Sequence, residues 1–196
     1  MTEILEQGKD YVIMYKKAGE DSEKTAPSGY GILYRLDMPV TGIIVAVMPG
    51  SGFEVISKKY YLVCSGKFDE QTGTMEDLLF HDSRSNRTFP VKKMRKGVKE
   101  AKLTYDVLGY DEKEDVSFVS AVLGTGRTHQ IRAQFASRRH PLSGDGKYGS
   151  RIKCQVALTC GELIYRPDKD SKTKTLRVLE MKEYPWNLFD AVELPQ

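Results

Sequence analysis

The sequence predicts an α+β fold, a mixed and largely antiparallel β-sheet with flanking helices. Two observations lead to this prediction. Short segments rich in β-branched and aromatic residues recur along the chain, and polar, glycine or proline residues separate them. Only two stretches have apolar residues at helical spacing. Many strands with few helices are typical of an α+β domain.

The predicted strands extend through the whole chain. The segment 11–15 is the first, and a polar loop over 16–29 follows it. The apolar run 42–48 predicts a buried strand, and 58–65 has the aromatic and β-branched composition of another. The remaining predicted strands are 101–108, 116–123, 156–165 and 175–181. Residues 74–80 are ambiguous between helix and strand.

Two helices are predicted. The first is short and covers 53–57, after the turn Pro49-Gly50-Ser51-Gly52. The second covers 128–139, where Ile131, Phe135 and Ala136 lie at helical spacing, with Thr128 as the N-cap.

Composition indicates one compact domain over residues 1–196, with enough apolar residues for a sizeable core. The net charge of +3 permits an anionic partner without requiring one. A monomer is the default expectation.

The cysteines indicate a reducing compartment. Cys64 and Cys160 lie in apolar, strand-like runs and are expected to be buried free thiols, and Cys154 adds no metal-type spacing. The first residues are polar, and no apolar run approaches the roughly 18 residues of a membrane span. We therefore expect a cytoplasmic protein that does not cross a membrane.

Asp37 is the first candidate catalytic residue. It follows Arg35 and precedes Thr41, Gly42 and the apolar run 42–48, so it should lie on a turn that leads into a core strand. A neighbouring cation keeps a carboxylate ionised, as a nucleophile must be. The alternative is that Arg35 and Asp37 form an ion pair that stabilises the turn.

A second candidate site surrounds the predicted helix start after Gly124-Thr125-Gly126. Arg127, His129 and Arg132 lie at or near the helix N-terminus, where free N–H groups favour an anion such as phosphate. The alternative is that these residues cap or stabilise the helix.

Basic residues are concentrated between Arg84 and Lys102. Eight occur there, and Glu100 is the one acid among them. The eight are Arg84, Arg87, Lys92, Lys93, Arg95, Lys96, Lys99 and Lys102. Such a run is either a solvated face or an arm that contacts nucleic-acid phosphates.

Five ordered motifs, spread over most of the chain, resemble the RluA-type pseudouridine synthases. They are Arg35-Leu36-Asp37 with Thr41-Gly42; Lys59-Tyr60-Tyr61-Leu62-Val63 with Gly66; the strand 99–108; Gly126-Arg127-Thr128-His129-Gln130-Ile131-Arg132; and Gly144-Asp145 with Tyr148-Gly149. The chain departs from the family where Tyr34 replaces the usual His and Lys16-Lys17-Ala18-Gly19 replaces Lys-Pro-Ala-Gly.

The resemblance implies the pseudouridine synthase fold with a central RNA-binding cleft. It also implies isomerisation of uridine to pseudouridine in ribosomal or transfer RNA, without cofactor or metal. Asp37 would be the nucleophile at either C6 of the base or C1′ of the ribose. Tyr60, preferred over Tyr61 because of its distance to Gly66, would stack on the base and help to remove the C5 proton. Arg127 would pair with Asp37.

We expect one catalytic domain over 1–196, and no N-terminal S4-type RNA-binding domain is recognisable, which is a further departure from the family. Together with the local charge, the resemblance predicts a set of residues that contact RNA. This set is Arg35, Thr41, His129, Gln130, Arg132, Lys92, Lys93, Arg95 and Lys96.

Two other functions are compatible with parts of the pattern. The first is a non-catalytic RNA-binding protein on the same scaffold, although binding alone needs no acidic nucleophile beside an anionic ligand. The second is a metal-dependent nuclease that uses Asp37. The sequence has no second carboxylate clustered with Asp37, and two-metal chemistry requires one.

Overall fold

Strands are the principal elements of the computed structural model, which describes residues 2–194. In chain order they are β1 (Glu3–Gln7), β2 (Tyr11–Lys16), β3 (Gly31–Ile32), β4 (Thr41–Val47), β5 (Glu54–Ser65), β6 (Thr72–Asp82), β7 (Arg87–Val91), β8 (Val98–Asp111), β9 (Val116–Leu123), β10 (Leu158–Arg166) and β11 (Lys174–Arg177). The described chain also contains the helices α1 (Ser22–Thr25) and α2 (Gln130–Ser137), and short 3-10 turns at Gly146–Tyr148 and Trp186–Phe189. The predicted α+β class with a mixed sheet is confirmed.

The chain divides into two compact units. The first consists of the chain up to Tyr60 together with Leu158–Leu179, and the second consists of Tyr61–Ala157 and the segment from Glu180 onward. Strand β5 begins in the first unit and ends in the second.

In the first unit, the strand order is β1-β2-β4-β10, with β3 on β4 and β11 on β10. The β4–β10 pair is parallel, and the other pairs are antiparallel. The side chains of Tyr11–Met14 and Ile43–Ala46 are all buried. A continuous apolar run of this kind is expected of a strand that is covered on both faces.

In the second unit, the strand order is β9-β8-β6-β7, and every neighbouring pair is antiparallel. Helix α2 packs against β6 and β7. Its buried Ile131 and Phe135 belong to the core, and the ring of Phe135 contacts Phe68 and Tyr105.

The predicted helix at 53–57 is wrong, because these residues begin β5. The side chains of Glu54 and Ile56 are exposed and their neighbours are less so, which is the two-residue period of a strand. The β-branched pair Val55-Ile56 also favours a strand. The ambiguous segment 74–80 belongs to β6.

The predicted N-cap at Thr128 is also wrong. Helix α2 begins at Gln130, and its N-cap is His129 in the left-handed conformation, with φ of 53°. The Thr128 carbonyl instead accepts a hydrogen bond from the Thr88 hydroxyl at 2.8 Å. Tertiary contacts therefore determine where α2 begins, and no side-chain hydrogen bond caps its N-terminus.

Smaller differences concern edges and loops. The loop predicted at 16–29 contains α1, whose N-cap Asp21 accepts a hydrogen bond from the Glu23 N–H at 3.0 Å. Strands β1, β3 and β7 were not predicted: β1 has charged residues at both ends of its apolar pair, β3 is only two residues long, and β7 contains Pro90. The strand predicted at 175–181 ends at Arg177.

The thiols agree with the sequence prediction. Cys64 and Cys160 are fully buried, and all three cysteines are free. Among residues 2–194, no helix is both long enough and apolar enough to span a membrane.

Candidate active site

Asp37 opens a turn that leads into β4, as the sequence predicts. The Val40 N–H donates to the Asp37 carbonyl at 2.9 Å, and β4 begins at Thr41. The Asp37 side chain is half-buried, and Thr41 lies opposite Thr159 of the parallel strand β10. A carboxylate on a short loop carried by a rigid strand is a frequent arrangement for a catalytic group.

Gly42 allows β4 to approach β10 after this turn. Its φ is 117°, a conformation that other residues rarely adopt. A Cβ at this position would collide with the backbone of Cys160. The Thr-Gly pair of the motif therefore fixes where the Asp37 turn joins the sheet.

The buried ammonium group of Lys16 holds the backbone of the same turn. Its Nζ donates to the carbonyls of Asp37 at 3.2 Å, Met38 at 3.2 Å and Val40 at 2.8 Å, and it also lies 3.1 Å from the Lys17 carbonyl. The residue is fully buried at the end of β2, and burial lowers the pKa of its ammonium group. Sequence reasoning missed this role, although a lysine that ends an apolar strand was a visible signal.

Helix α1 supports the residues just before Asp37. The Ser22 hydroxyl accepts from the Leu36 N–H at 3.0 Å and lies 3.1 Å from the Leu36 carbonyl. The exposed Arg35 guanidinium reaches Glu23 at 4.0 Å. Arg35 thus connects the loop to α1, at the surface of the first unit.

Tyr60 belongs to the first unit with Asp37. It lies on β5, and only 5% of its surface is exposed. Burial raises the pKa of its phenol well above 10, and the Cys160 thiol and the Asp37 carboxylate raise it further. The structure therefore brings Asp37 and Tyr60 into the same electrostatic environment and keeps the phenol protonated at neutral pH.

Two further side chains, Tyr34 and Cys160, interact with Tyr60, and Lys58 lies beside Tyr34. The Tyr34 hydroxyl donates to the Ile43 carbonyl at 3.0 Å, and the Lys58 ammonium lies 3.6 Å from the centre of the Tyr34 ring. The hydroxyls of Tyr34 and Tyr60 both approach the Cys160 sulfur, whose pKa burial raises to about 12. Tyr34, which replaces the family's usual His, thus provides a cation–π platform for Lys58. Sequence reasoning missed Lys58 and Cys160.

In the second unit, Gln130 organises the loop that carries Arg127. Its Oε1 accepts from the Thr125 hydroxyl at 2.8 Å and from the Arg127 N–H at 3.0 Å, and its Nε2 donates to the Lys102 carbonyl at 3.0 Å. The half-buried Arg127 donates from Nε to the Glu100 carbonyl at 2.9 Å. Gln130, which was predicted to contact RNA, is buried inside this network.

His129 and Arg132 also face the interior of the second unit. His129 lies 2.9 Å from the Tyr148 hydroxyl through Nδ1, and Arg132 makes two hydrogen bonds to Asp145, at 2.7 and 2.9 Å. Both side chains are buried. The motifs around residues 126–132 and 144–149 therefore form one internal hydrogen-bond network. We accordingly propose no direct contact with RNA for His129, Gln130 and Arg132.

The connection between β7 and β8 presents a cluster of cations. Its side chains are exposed, and Met94 lies among them. The cations are Lys92, Lys93, Arg95 and Lys96. The Arg95 guanidinium lies 5.0 Å from the centre of the Phe80 ring, so one of them is anchored to the hairpin of β6 and β7. We call these four residues the basic turn.

Within residues 2–194, no three or more His, Cys, Asp or Glu side chains converge as metal ligands would. The chemical groups described above in the first unit are the Asp37 carboxylate, the Tyr60 phenol and the ammonium groups of Lys16 and Lys58.

Comparison with known sequences relates part of the chain to one family. A sequence profile described as RNA pseudouridylate synthase matches residues 51–137. A ribosomal large subunit pseudouridine synthase D from Borreliella burgdorferi is 28% identical over 150 residues, which cover 71% of this chain and 43% of that protein. Over these residues the chain is similar to the RNA pseudouridylate synthase family, and the matches support a relationship to its RluA type.

A relative from Bacillus subtilis, named as the uncharacterized RNA pseudouridine synthase YhcT, is 30% identical over 131 residues. The match covers 62% of this chain and 42% of that protein. The chain thus spans about two fifths of the length of the curated relatives that it matches.

Solved structures of the family share the fold. The human RNA pseudouridylate synthase domain-containing protein 4 superimposes with a TM-score of 0.74, over 99% of this chain and 95% of that chain. Sequence identity is only 17%, so this likeness establishes the fold alone.

The family profile covers only part of the candidate site. Tyr60, Arg127 and the basic turn lie within the matched residues 51–137, and Asp37 precedes them.

Proposed function

We propose that this chain is an RNA pseudouridylate synthase that isomerises uridine to pseudouridine in ribosomal or transfer RNA. Asp37, Tyr60 and Arg127 carry the reaction within one catalytic domain. The main support for this proposal is the position of Asp37. It is half-buried on a turn whose backbone is bound by the buried Lys16, and its carboxylate raises the pKa of the Tyr60 phenol. Buried free thiols fit a reducing, cytoplasmic setting.

The reaction needs a carboxylate that stays ionised and reaches a base outside its stack. The target uridine must first leave the RNA helix, because a side chain on this turn cannot reach a stacked base. Asp37 then attacks C6 of the base or C1′ of the ribose, and the bond between N1 and C1′ breaks. The uracil rotates, C5 bonds to C1′, the C5 proton leaves to solvent, N1 takes up a proton, and Asp37 is released. No atom is gained or lost overall.

Tyr60 contributes its ring and its hydroxyl. The ring packs against the target base, and the hydroxyl takes part in removing the C5 proton. Since burial keeps the phenol protonated, Tyr60 accepts that proton only by passing its own proton onward. The proton passes finally to solvent, because the Cys160 thiol and the Tyr34 hydroxyl that interact with Tyr60 are themselves protonated and can only relay it.

Tritium release from RNA that carries C5-labelled uridine tests the proposed activity. Ribosomal RNA and transfer RNA are used as separate pools, so the assay also distinguishes the two substrate classes. Release by the parent protein supports the enzyme. No release from either pool, with RNA binding intact, would favour the non-catalytic RNA-binding protein. Activity that persists in a chelator excludes a metal-dependent nuclease.

Arg127→Ala is expected to lower turnover more than RNA affinity. Arg127 is held by its backbone N–H and by its Nε, which leaves the terminal guanidinium nitrogens to contribute positive charge to the reaction. Removal of a positioned charged donor typically costs about 10²–10³-fold in kcat. Single-turnover tritium release gives the rate, and filter binding gives the affinity. A loss confined to affinity would assign Arg127 to RNA binding alone.

Neutralising the basic turn is expected to weaken RNA binding and flatten its salt dependence. The variant replaces Lys92, Lys93, Arg95 and Lys96 with Gln. Each cation that neutralises a phosphate contributes about 0.7–0.9 to the slope of log affinity against log salt. The measurement is the binding constant over a salt series. The matched control replaces four exposed lysines elsewhere, namely Lys113, Lys169, Lys172 and Lys182. Equal slopes for the two variants would make the basic turn an ordinary solvated surface.

A further inference from the structure

The hairpin of β6 and β7 carries two phenylalanine side chains on one face of the second unit's sheet. Phe80 and Phe89 occupy directly paired positions of the two strands, and their ring centres are 5.7 Å apart. Side chains at paired positions point to the same face of a sheet. Asp77, three positions before Phe80, points to the opposite face and accepts a hydrogen bond from Gln134 of α2 at 2.7 Å. The two rings therefore lie on the face away from α2.

The aromatic pair is accessible to a ligand. Phe89 lies on β7, the last strand of the sheet, and 39% of its surface is exposed, while Phe80 is half-buried. Met94 of the basic turn is more exposed still. Single exposed apolar side chains are ordinary on protein surfaces, but a cluster of them marks a binding surface.

The basic turn folds back onto this pair of rings. The Arg95 guanidinium lies 5.0 Å from the centre of the Phe80 ring. Gly97, with φ of 85°, permits the close approach, because a Cβ there would lie 3.3 Å from the same ring. The Val98 N–H donates to the Arg95 carbonyl at 3.0 Å and closes the turn. A cation is thus held beside Phe80, and Phe89 stays exposed next to it.

A cavity of about 550 Å³ adjoins the rings on the same face. Leu78, two positions before Phe80, lines it together with Glu100 and Lys102. Glu100 lies opposite Leu78 in the sheet, and its carbonyl accepts a hydrogen bond from Arg127 Nε at 2.9 Å. A nucleotide bound at the two rings would therefore be close to the nucleotide that Arg127 serves.

The charges around the rings favour RNA as the occupant of this surface. The four cations of the basic turn are exposed beside the rings. A second copy of the chain, bound symmetrically here, would bring like charges together. The Glu100 carboxylate would repel a phosphate from the cavity, so bases would face the sheet. Sites for single-stranded nucleic acid combine cations along the backbone with aromatic rings on which bases stack.

We propose that Phe89, with Phe80 and the Arg95 guanidinium beside it, is a stacking site for an unpaired base near the target uridine. The inference rests on the proposed function, which makes RNA the ligand. The preferred substrate is then a loop or another single-stranded segment, because bases inside a continuous duplex do not expose their faces. Stacking at Phe89 adds to affinity but not to its salt dependence, since no phosphate charge is neutralised.

Equilibrium binding of RNA to the full chain tests the inference, with Phe89→Leu as the variant. Leucine keeps an apolar side chain and removes the aromatic face. The matched control is Tyr184→Leu, at another exposed aromatic residue of the second unit. The probes are a single-stranded RNA that contains 2-aminopurine and a blunt duplex of the same sequence. Affinity is measured over a salt series, and 2-aminopurine fluorescence reports stacking.

The parent should bind the single strand more tightly than the duplex and quench the 2-aminopurine. Phe89→Leu should weaken single-strand binding by about tenfold, which lies within the contribution of one stacked base. Its salt slope should equal that of the parent, its quenching should be lost, and its affinity for the duplex should be unchanged. Phe89→Trp, which keeps an aromatic face, and Tyr184→Leu should both resemble the parent.

Parental affinity and quenching in Phe89→Leu would overturn the inference, as would an equal loss on the duplex or a loss of the same size in Phe89→Trp. Two other occupants have their own signatures. If Phe89→Leu dissociates a parental dimer in sedimentation, the surface belongs to a second copy. If it weakens binding to phosphatidylserine vesicles and leaves RNA binding intact, the surface contacts lipid. Either result contradicts the proposal.

Failure of the proposed function is recognised separately. A parent that binds and quenches the single strand through Phe89, but releases no tritium from any RNA, would have the stacking site without the activity. A parent that releases tritium equally well after Phe89→Leu, with parental RNA affinity, would have the activity without the stacking site.

Discussion

Replacement of Asp37 with asparagine is expected to abolish tritium release while RNA binding remains near the parental level. Asparagine keeps the size of the side chain but cannot act as a carboxylate nucleophile. Loss of a nucleophile typically costs about 10⁴-fold or more in kcat. The turn itself should persist, because Lys16 and the Val40 N–H bind the backbone of this segment and do not depend on the carboxylate.

The matched control for this prediction is Asp170→Asn. Asp170 lies in an exposed turn of the first unit, so the same chemical change there should leave turnover and affinity unaltered. Tritium release under single-turnover conditions is the measurement, with circular dichroism to confirm folding. Residual turnover of Asp37→Asn within tenfold of the parent would remove Asp37 from the role of nucleophile.

Tyr60→Phe is expected to produce the second largest loss. Phenylalanine keeps the ring that packs on the base and removes the hydroxyl, so the predicted defect lies in the proton transfer from C5. Proton transfer by a positioned side chain contributes about 10²–10⁴-fold, and turnover should fall by that factor. RNA affinity should change little.

Tyr61→Phe provides the comparison, because successive residues of a strand point to opposite faces. Tyr61 is fully buried, with its ring stacked near Phe118 in the second unit, and its hydroxyl should not affect turnover. Equal losses in the two variants, after correction for stability, would argue against the choice of Tyr60. A larger loss in Tyr61→Phe would reverse that choice.

Much of the fold could be predicted from local patterns. The runs that form β2 and β4 are apolar along their length, so the strands at 11–15 and 42–48 are close to the observed Tyr11–Lys16 and Thr41–Val47. The position of Asp37 at a turn before β4 followed from Gly42 and the run after it. These features depend on residues that are neighbours in the sequence.

Other features depend on contacts between distant segments. Thr128 has the chemistry of an N-cap, but its carbonyl is bound by Thr88, forty positions earlier, and the helix starts after it. Lys16 and Asp37 are separated by a loop and by α1, so the sequence shows an unusual lysine at the end of an apolar strand but does not show which carbonyls it binds.

Contacts between distant segments also explain why some residues have other partners in the structure than the sequence predicted. Arg132 and His129 follow two glycines at a helix start, which suggests an anion site, but Asp145 and Tyr148 occupy their polar atoms in the fold. Arg35 and Asp37 are close in sequence, yet the ion partner observed for Arg35 is Glu23 on α1. The acidic partner of a cation depends on which distant segments the fold brings together, and neither composition nor sequence spacing specifies this.

The most direct test of the central claim is a map of pseudouridine across RNA from cells that lack this protein. We predict that at least one pseudouridine in ribosomal or transfer RNA disappears, that the parent gene restores it, and that the Asp37→Asn gene does not, although its product is made at the same level. An unchanged map, or restoration by Asp37→Asn, would contradict the account.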